Sequence, residues 1–350
     1  EPRGFLPLVL CVDAGEGFSL GSRVIECSAL QGRWRRYWAA RGLTSPDGPP
    51  RPELLHVVDR SMADVGLALA ERWKTPYVLT IDDYLPAGAR LRLSKTWCRG
   101  VVATSEALAA ELVETVGIPR RALQVVIPGI DPPEEREPKP QGPESARLPV
   151  VGATGRFETG SGLATFLHAA SLIIQKGLDA EFVIAGWGSG EATLRRLADA
   201  LRISDRVTFA DVASDLRPFW SVLDVFCFTS TRPTTGLGLA QALAFGAPSI
   251  AADVPGLGDW FVHERTGLRI PPSDSEALAE AIQSMLRDPQ RSHEFGRLGR
   301  EEVLRVFDLE RQARELEAVY RLALDSTESL IPRPRSMRPD TRPGLEPRMS

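Results

Sequence analysis

The sequence predicts an α/β protein made of two Rossmann-like, doubly wound domains that face each other across a cleft. Three observations lead there. Short apolar runs alternate with helical stretches, as parallel strands covered on both faces require. The alternation stops at 132–149, PPEEREPKPQGPESARLP, which is rich in proline and charge and has no apolar period, and then restarts. The length, 350 residues, is long for one core and suits two. The expected division is a first domain at 1–131, a linker at 132–149, a second domain at 150–325 with closing helices, and a disordered tail at 326–350. The chain begins at Glu1 rather than Met, so the completeness of the first domain is left open.

In the first half, Leu8–Val12 and Val24–Cys27 read as strands around a loop containing Asp13 to Gly17. Arg33–Trp38, RWRRYW, reads as a helical turn with Trp34, Tyr37 and Trp38 on one face. Two readings fit it: a peripheral contact with an anionic membrane surface, or a helix whose aromatics enter the core while its arginines stay wet. Thr44–Pro52 is loop-like. Strands follow at Glu53–Val58, Pro76–Ile81, Val101–Thr104 and Gln124–Ile127. Helices alternate with them at Ser61–Lys74 and Glu106–Val116, the second with Ser105 as N-cap.

In the second half, strands are expected at Val150–Ala153, Glu181–Ala185, Val207–Phe209, Val225–Phe228, Ser249–Ala252 and Thr266–Ile270. Helices are expected at Leu163–Lys176, from Gly190 to about Leu201, at Asp215–Leu223, Leu239–Phe245 and Ser275–Leu286, and from about Gln290 to Ala323. Three of the strand-to-helix connections are Gly-rich: Gly155–Gly162, Gly186–Gly190 and the turn at Gly236, Leu237 and Gly238. Such a turn aims free backbone N–H groups and the positive end of a helix dipole at one place, where a phosphate could be held. It could equally serve only for tight packing.

Composition narrows the class. Charged residues are 25% and hydrophobic residues 43%, as in soluble globular proteins. A net charge of −4 and a pI near 5.8 argue against a nucleic-acid binder driven by bulk charge. No apolar run approaches the roughly 20 residues of a membrane span, and no signal peptide is visible, so a cytoplasmic location is expected. Cys11, Cys27, Cys98 and Cys227 lack zinc-like spacing and read as free, mostly buried thiols. His168 lies in an apolar helix and His263 in a loop, and they make no acid/base pair. Asp82 and Asp83 end a strand where a cleft would open, and suit either a functional contact or a turn.

PELLHVVD (52–59), TPYVLTIDDY (75–84), GVVATSEALAAEL (100–112), VVIPGID (125–131), GATGRFETGSG (152–162), VIAGWGSG (183–190), VTFAD (207–211), DVFCFTSTRPTTGLGLAQALAFGAPSIAADVPG (224–256) and RTGLRIPPSD (265–274) stand in an order that resembles the GT-B glycosyltransferases of family 4. The resemblance runs from about residue 50 to about residue 320. It implies transfer of a sugar from a nucleotide-sugar donor to a glycan, lipid or small-molecule acceptor, with retention at the anomeric carbon and without a metal or other cofactor. It implies a donor held by the second domain, an acceptor on the first, and a last long helix that crosses back toward the first domain.

Charge grows on the diphosphate leaving group as the glycosidic bond breaks, and fixed cations and N–H groups must stabilise it. By resemblance, Arg156 matches the family's Arg, while Ser161 stands where the family has Lys. Gly155, Gly186, Gly188, Ser230, Gly236, Leu237, Gly238 and Gln241 fall at donor-binding positions. The family's two Glu, separated by seven residues, fall on Pro233 and Gln241. Asp82, with Asp83 beside it, falls where a His often contacts the reacting sugar, and Asp259 where the family often has Glu. Arg232, beside Pro233, is a candidate to compensate for the missing Lys. These departures keep a second possibility open, a catalytically degenerate protein of this fold that binds a nucleotide, a glycan or a partner. An epimerase or a phosphorylase is a third.

Overall fold

The β-branched and aromatic runs of the sequence become parallel strands in a computed structural model that describes residues 4–11, 24–31, 39–46, 48–85, 91–131, 147–158, 160–211, 216–258 and 260–326. The Arg33–Trp38 segment, the loop at Asp13–Gly17, Asp259, most of the expected linker and all but the first residue of the expected tail lie outside the described residues.

The first part holds two sheets. Strands β1 (Val9–Cys11) and β2 (Val24–Glu26) pair in parallel as a sheet of their own. Strands β3 (Leu55–Val57), β4 (Tyr77–Ile81), β5 (Cys98–Ala103) and β6 (Leu123–Val125) form a four-stranded parallel sheet in that order. Helix α1 (Ala63–Trp73) joins β3 to β4 and buries Val65, Leu67, Leu69 and Ala70. Strand β5 starts three residues before the expected Val101. Buried Arg99 interrupts the apolar run there, so the hydrophobic pattern hides the strand's beginning. Ser105 caps α2 (Glu106–Glu111), its hydroxyl accepting from the Leu108 N–H at 3.1 Å. The helix then widens into a π-turn over Leu112–Val116 and stops at Gly117.

The second sheet has six strands, all paired in parallel, in the order β12-β11-β10-β7-β8-β9. They are β7 (Val150–Arg156), β8 (Glu181–Trp187), β9 (Val207–Asp211), β10 (Val225–Phe228), β11 (Ser249–Ala252) and β12 (Leu268–Ile270). Side chains alternate across it. Val151, Ala153, Phe182, Ile184, Val225, Cys227 and Ile250 enter a core with α3 (Leu163–Gln175), α4 (Glu191–Ala200) and α7 (Ser275–Arg287). Phe226, Ala185 and Ala251 enter the opposite core with α5 (Arg217–Val222), α6 (Leu237–Ala244) and α8 (Pro289–Val306). Helices on both faces make this the doubly wound α/β arrangement the sequence predicts. Cys98 and Cys227 are buried, Cys11 and Cys27 are half-buried, and none of the four is in a disulfide.

Two boundaries differ from expectation in ways that matter for function. Gly155 and Arg156, read as loop, end strand β7, and Gly186 and Trp187, read as turn, end β8. The two pairs lie opposite one another in register. Glycine weakens the sequence signal of a strand, yet here it permits a close backbone approach: a Cβ on Gly186 would lie 2.0 Å from the Gly155 carbonyl oxygen. The expected helix from Gln290 to Ala323 is broken in two. It leaves helical geometry at Phe307, and Asp308 caps a new helix, α9 (Leu309–Asp325), by accepting from the Arg311 N–H at 3.0 Å. Phe307 is buried against Trp260, with ring centroids 5.0 Å apart. That packing fixes the bend.

Past the bend, α9 lies on the first sheet. Val319 and Ala323 pack with Val78, Val102 and Val126. The Tyr320 hydroxyl is 2.7 Å from His56 Nδ1, and His56 Nε2 is 2.8 Å from Thr80 Oγ1, so one ring nitrogen donates and the other accepts. The last helix therefore crosses back as the resemblance implies.

Two tests follow from this packing. Burial holds the His56 imidazole down to about 4, below its ordinary 6.5. Between these values the unfolded chain takes up a proton at His56 that the folded chain refuses, so this group's contribution to stability falls as pH drops from about 6.5 toward 4. Melting temperature measured across that window should fall less steeply in His56→Gln than in the wild type; parallel curves would show that His56 is not the group responsible. Gly162 has φ of +74°, and a Cβ on it would meet the Thr229 carbonyl oxygen at 1.7 Å. Denaturant unfolding of Gly162→Ala should show a loss of about 2 kcal/mol or more.

Candidate functional site

Strand β7 lies between β10 and β8. The chain builds outward from β7 through β8 to β9, then returns to the other side of β7 to lay down β10, β11 and β12. Connections leaving β7 and β10 therefore part in opposite directions and open a crevice beyond the carboxyl ends of these strands. In open α/β sheets this switch point is where ligands bind. Here it is bounded by the segment after β7, ending at Gly162, and the segment Thr229–Gly236 after β10.

The two segments are tied together. The Thr231 N–H and hydroxyl both donate to the Gly160 carbonyl oxygen at 3.1 Å, and the Thr229 hydroxyl donates to that of Ser161 at 3.2 Å. Arg156, at the end of β7, is 67% exposed, and its Nε is 3.7 Å from Glu158 Oε1. Arg232 approaches the same carboxylate oxygen from the other segment, its Nη1 at 4.0 Å. Ser161 turns its hydroxyl back to donate to the Glu158 carbonyl oxygen at 2.9 Å. The Ser230 hydroxyl closes a local turn, donating to the Arg232 carbonyl oxygen at 3.1 Å and accepting from its N–H at 3.3 Å.

Gly236 adopts φ of +71° and N-caps α6 without a side-chain cap. Leu237 and Gly238 start the helix, and N–H groups of a first turn have no intrahelical acceptor. Gln241 sits half-buried one turn further on, and Pro233 offers no polar side-chain atom. Gly186 ends β8 together with Trp187, and Gly188 follows directly. Thus Gly155, Arg156, Ser161, Ser230, Gly236, Leu237 and Gly238 are brought together around one switch point, with Gly186 and Gly188 on the adjoining strand end.

Asp82 and Asp83 are elsewhere, just past β4 of the first sheet, and both are exposed. The Asp82 carboxyl is held above its ordinary range, first by partial burial, which its own backbone N–H opposes, and then by the like charges of Asp59 and Asp83. Asp83 accepts from the Tyr84 N–H at 2.8 Å, the turn contact such a residue commonly makes. His168 is exposed, and His263 Nδ1 accepts from the N–H of Arg269 in β12 at 2.9 Å. Among the described residues, no group of three or more His, Cys, Asp or Glu is arranged to hold a metal. No described helix is long and apolar enough to cross a membrane.

Two features escaped the sequence reading. Glu158 meets both arginines, and its only signal was its place two residues beyond Arg156 on a chain leaving a strand. Trp187 is 58% exposed in register with Arg156, and it left no signal because a tryptophan inside a Gly-rich run reads as a turn filler.

Comparison with known proteins agrees with this geometry. The family model described as "Glycosyl transferases group 1" matches residues 148–288, and the one described as "Glycosyltransferase Family 4" matches residues 12–134. The lipopolysaccharide core biosynthesis glycosyltransferase LpsE of Rhizobium meliloti is 30% identical over 166 residues, 47% of either chain. The alpha-D-kanosaminyltransferase of Streptomyces kanamyceticus is 28% identical over 144 residues, 41% of this chain and 37% of the relative. The match thus spans less than half the length of these two curated relatives. Among solved structures, Anabaena HepE in complex with UDP and glucose superposes with a TM-score of 0.71 at 18% identity, covering 85% of this chain and 86% of HepE. Both halves of the chain match the same group of enzymes, in the order that the two-part architecture requires, and the chain belongs to the family 4-like glycosyltransferases of GT-B fold.

Proposed function

We propose that the protein is a glycosyltransferase that moves a sugar from a nucleoside-diphosphate sugar to a glycan, lipid or small-molecule hydroxyl, with retention at the anomeric carbon and without a metal. The observation that carries this reading is the switch point itself. There Arg156, with its guanidinium exposed, and the uncapped N-terminus of α6 come together at the carboxyl ends of β7 and β10. A diphosphate suits this place, because positive charge and N–H dipoles are fixed before the ligand arrives. The names of LpsE and the kanosaminyltransferase, and the UDP and glucose bound to HepE, support a nucleotide-sugar donor.

In the reaction the bond from the anomeric carbon to the terminal phosphate oxygen breaks, and its electron pair stays on that oxygen. An acceptor hydroxyl oxygen bonds to the anomeric carbon, and its proton leaves to the departing phosphate or to water. Arg156 and the N–H groups at Gly236, Leu237 and Gly238 stabilise the departing diphosphate in this reading. Gly155, Ser161, Gly186, Gly188, Ser230 and Gln241 line the donor's place, with Gln241 offering its amide to ribose hydroxyls. Asp82 and Asp83 serve the acceptor side, and the raised Asp82 carboxyl suits a contact to the reacting sugar. We place the protein in the cytoplasm, and for Arg33–Trp38 the two readings stand side by side, aromatics in the core or a contact with an anionic membrane surface.

A specific observation favours a second reading, a degenerate protein that binds nucleotide without turnover. Ser161 supplies no charge and spends its hydroxyl on the Glu158 backbone, and Pro233 has no polar side-chain atom for a sugar hydroxyl.

Titration calorimetry with UDP, GDP and ADP separates these outcomes. One nucleoside diphosphate should bind, and Arg156→Ala should weaken it about tenfold, the loss expected when a charged hydrogen-bond partner is removed. Failure of all three to bind at millimolar concentration overturns both readings. Binding followed by sugar transfer to an acceptor, undiminished by EDTA, supports the first. Binding with neither transfer nor hydrolysis of the matching nucleotide sugar supports the second.

A further inference from the structure

Two arginines from different segments meet one carboxylate at the switch point. Arg156 comes from the end of β7 and Arg232 from the segment after β10, and both approach Glu158 Oε1, at 3.7 and 4.0 Å. These distances exceed the roughly 2.7–2.9 Å of a tight charge-assisted bond. All three side chains are open to solvent, with exposures of 67% for Arg156, 59% for Arg232 and 46% for Glu158. Exposed, loosely held pairs of this kind hold together weakly and exchange readily.

The position of Arg232 is nevertheless built. Gly160 has φ of +94°, and a Cβ on it would lie 2.4 Å from Arg232 Nε, so the guanidinium passes directly over the glycine. Thr231, the preceding residue, is fastened to the Gly160 carbonyl oxygen by both its N–H and its hydroxyl. Arg232 is thereby held one residue from Ser161, whose own side chain carries no charge. Two guanidinium groups thus approach one carboxylate oxygen. An anion with two or more charges matches both guanidinium groups better than a single carboxylate does.

We propose that Glu158 is a placeholder anion, displaced when the donor's diphosphate binds, and that Arg232 then joins Arg156 as the second cationic contact to that diphosphate. The exchange trades one set of ion pairs for another and forms no covalent bond. In this reading Glu158 keeps the two guanidinium groups near their working positions, and it competes with the diphosphate for them. The proposal rests on the donor-binding reading above, and it predicts a feature that reading does not contain: loss of an acidic side chain next to the site improves binding.

The test uses the full chain, the nucleoside diphosphate among UDP, GDP and ADP that binds the wild type, and the matching nucleoside. Glu158→Gln should bind the diphosphate about two- to fivefold more tightly, the range expected on removing a weak competing ion pair. Arg232→Gln should bind it about tenfold more weakly. Affinity for the nucleoside, which has no phosphate, should change in neither variant, and melting temperatures should show both folded. If the wild type binds the diphosphate but Glu158→Gln binds it no better, or worse, the placeholder is wrong and the donor-binding reading stands. If Arg232→Gln binds diphosphate as the wild type does, Arg232 is no diphosphate contact. If neither the wild type nor Glu158→Gln binds any of the three nucleotides, both the placeholder and the donor-binding reading fail.

Discussion

The bend at Phe307–Asp308 is the constraint on which the rest of the structure depends. It lets one chain finish the core of the second sheet and then cover the first. Phe307 stays in the second core against Trp260, while its carbonyl oxygen accepts from the Ile130 N–H at 2.9 Å, at the end of the first part of the chain. Arg311 donates to the Ile127 and Val306 carbonyl oxygens at 2.9 and 2.8 Å, and Gln312 Oε1 accepts from the Gly129 N–H at 3.0 Å. Each such bond contributes about 1 kcal/mol net. Burial of the apolar face of α9 on β4, β5 and their neighbours adds a term of comparable size per side chain. The junction is thus stapled by one backbone bond and by side chains of α9 that reach backbone groups on both sides of it. Without α9, Val78 and Val102 would face water on the outer side of the four-stranded sheet.

That crossing places Tyr320 on His56 and keeps the imidazole neutral by burial. A neutral ring donates through one nitrogen and accepts through the other, and each hydroxyl neighbour can take the complementary role. Neither His56 nor Tyr320 lies at the switch point.

At the switch point the backbone does most of the positioning. The ends of β7 and β8 run side by side through Gly155 and Gly186, and Thr229 and Thr231 lash the segment after β10 onto the one after β7. These contacts are made by backbone groups and hydroxyls, so they do not depend on the charged side chains nearby. Ser161 donates to the Glu158 carbonyl oxygen, and Pro233 has no polar side-chain atom. Arg156, Arg232 and Glu158 set the local charge, and they are the exposed, adjustable part of the site.

The sequence by itself determined the fold class, the alternation of strands and helices, and the family. These follow from apolar periodicity and from motifs that stay local along the chain. It also marked Arg156 and the Gly236–Gly238 turn, since a strand-to-helix turn rich in glycine is a local feature. Only the tertiary structure decided where the strands at Gly155 and Gly186 end, because their pairing comes from a neighbouring strand and not from their own apolarity. Only the tertiary structure showed that the last helical stretch is two helices serving two cores, since Phe307 reads as one more apolar residue until Trp260 is placed beside it. The convergence of Arg156 and Arg232 on Glu158 joins residues more than seventy positions apart. Contacts of that kind depend on strand order, and strand order is set by how the sheet assembles, not by any single segment of it.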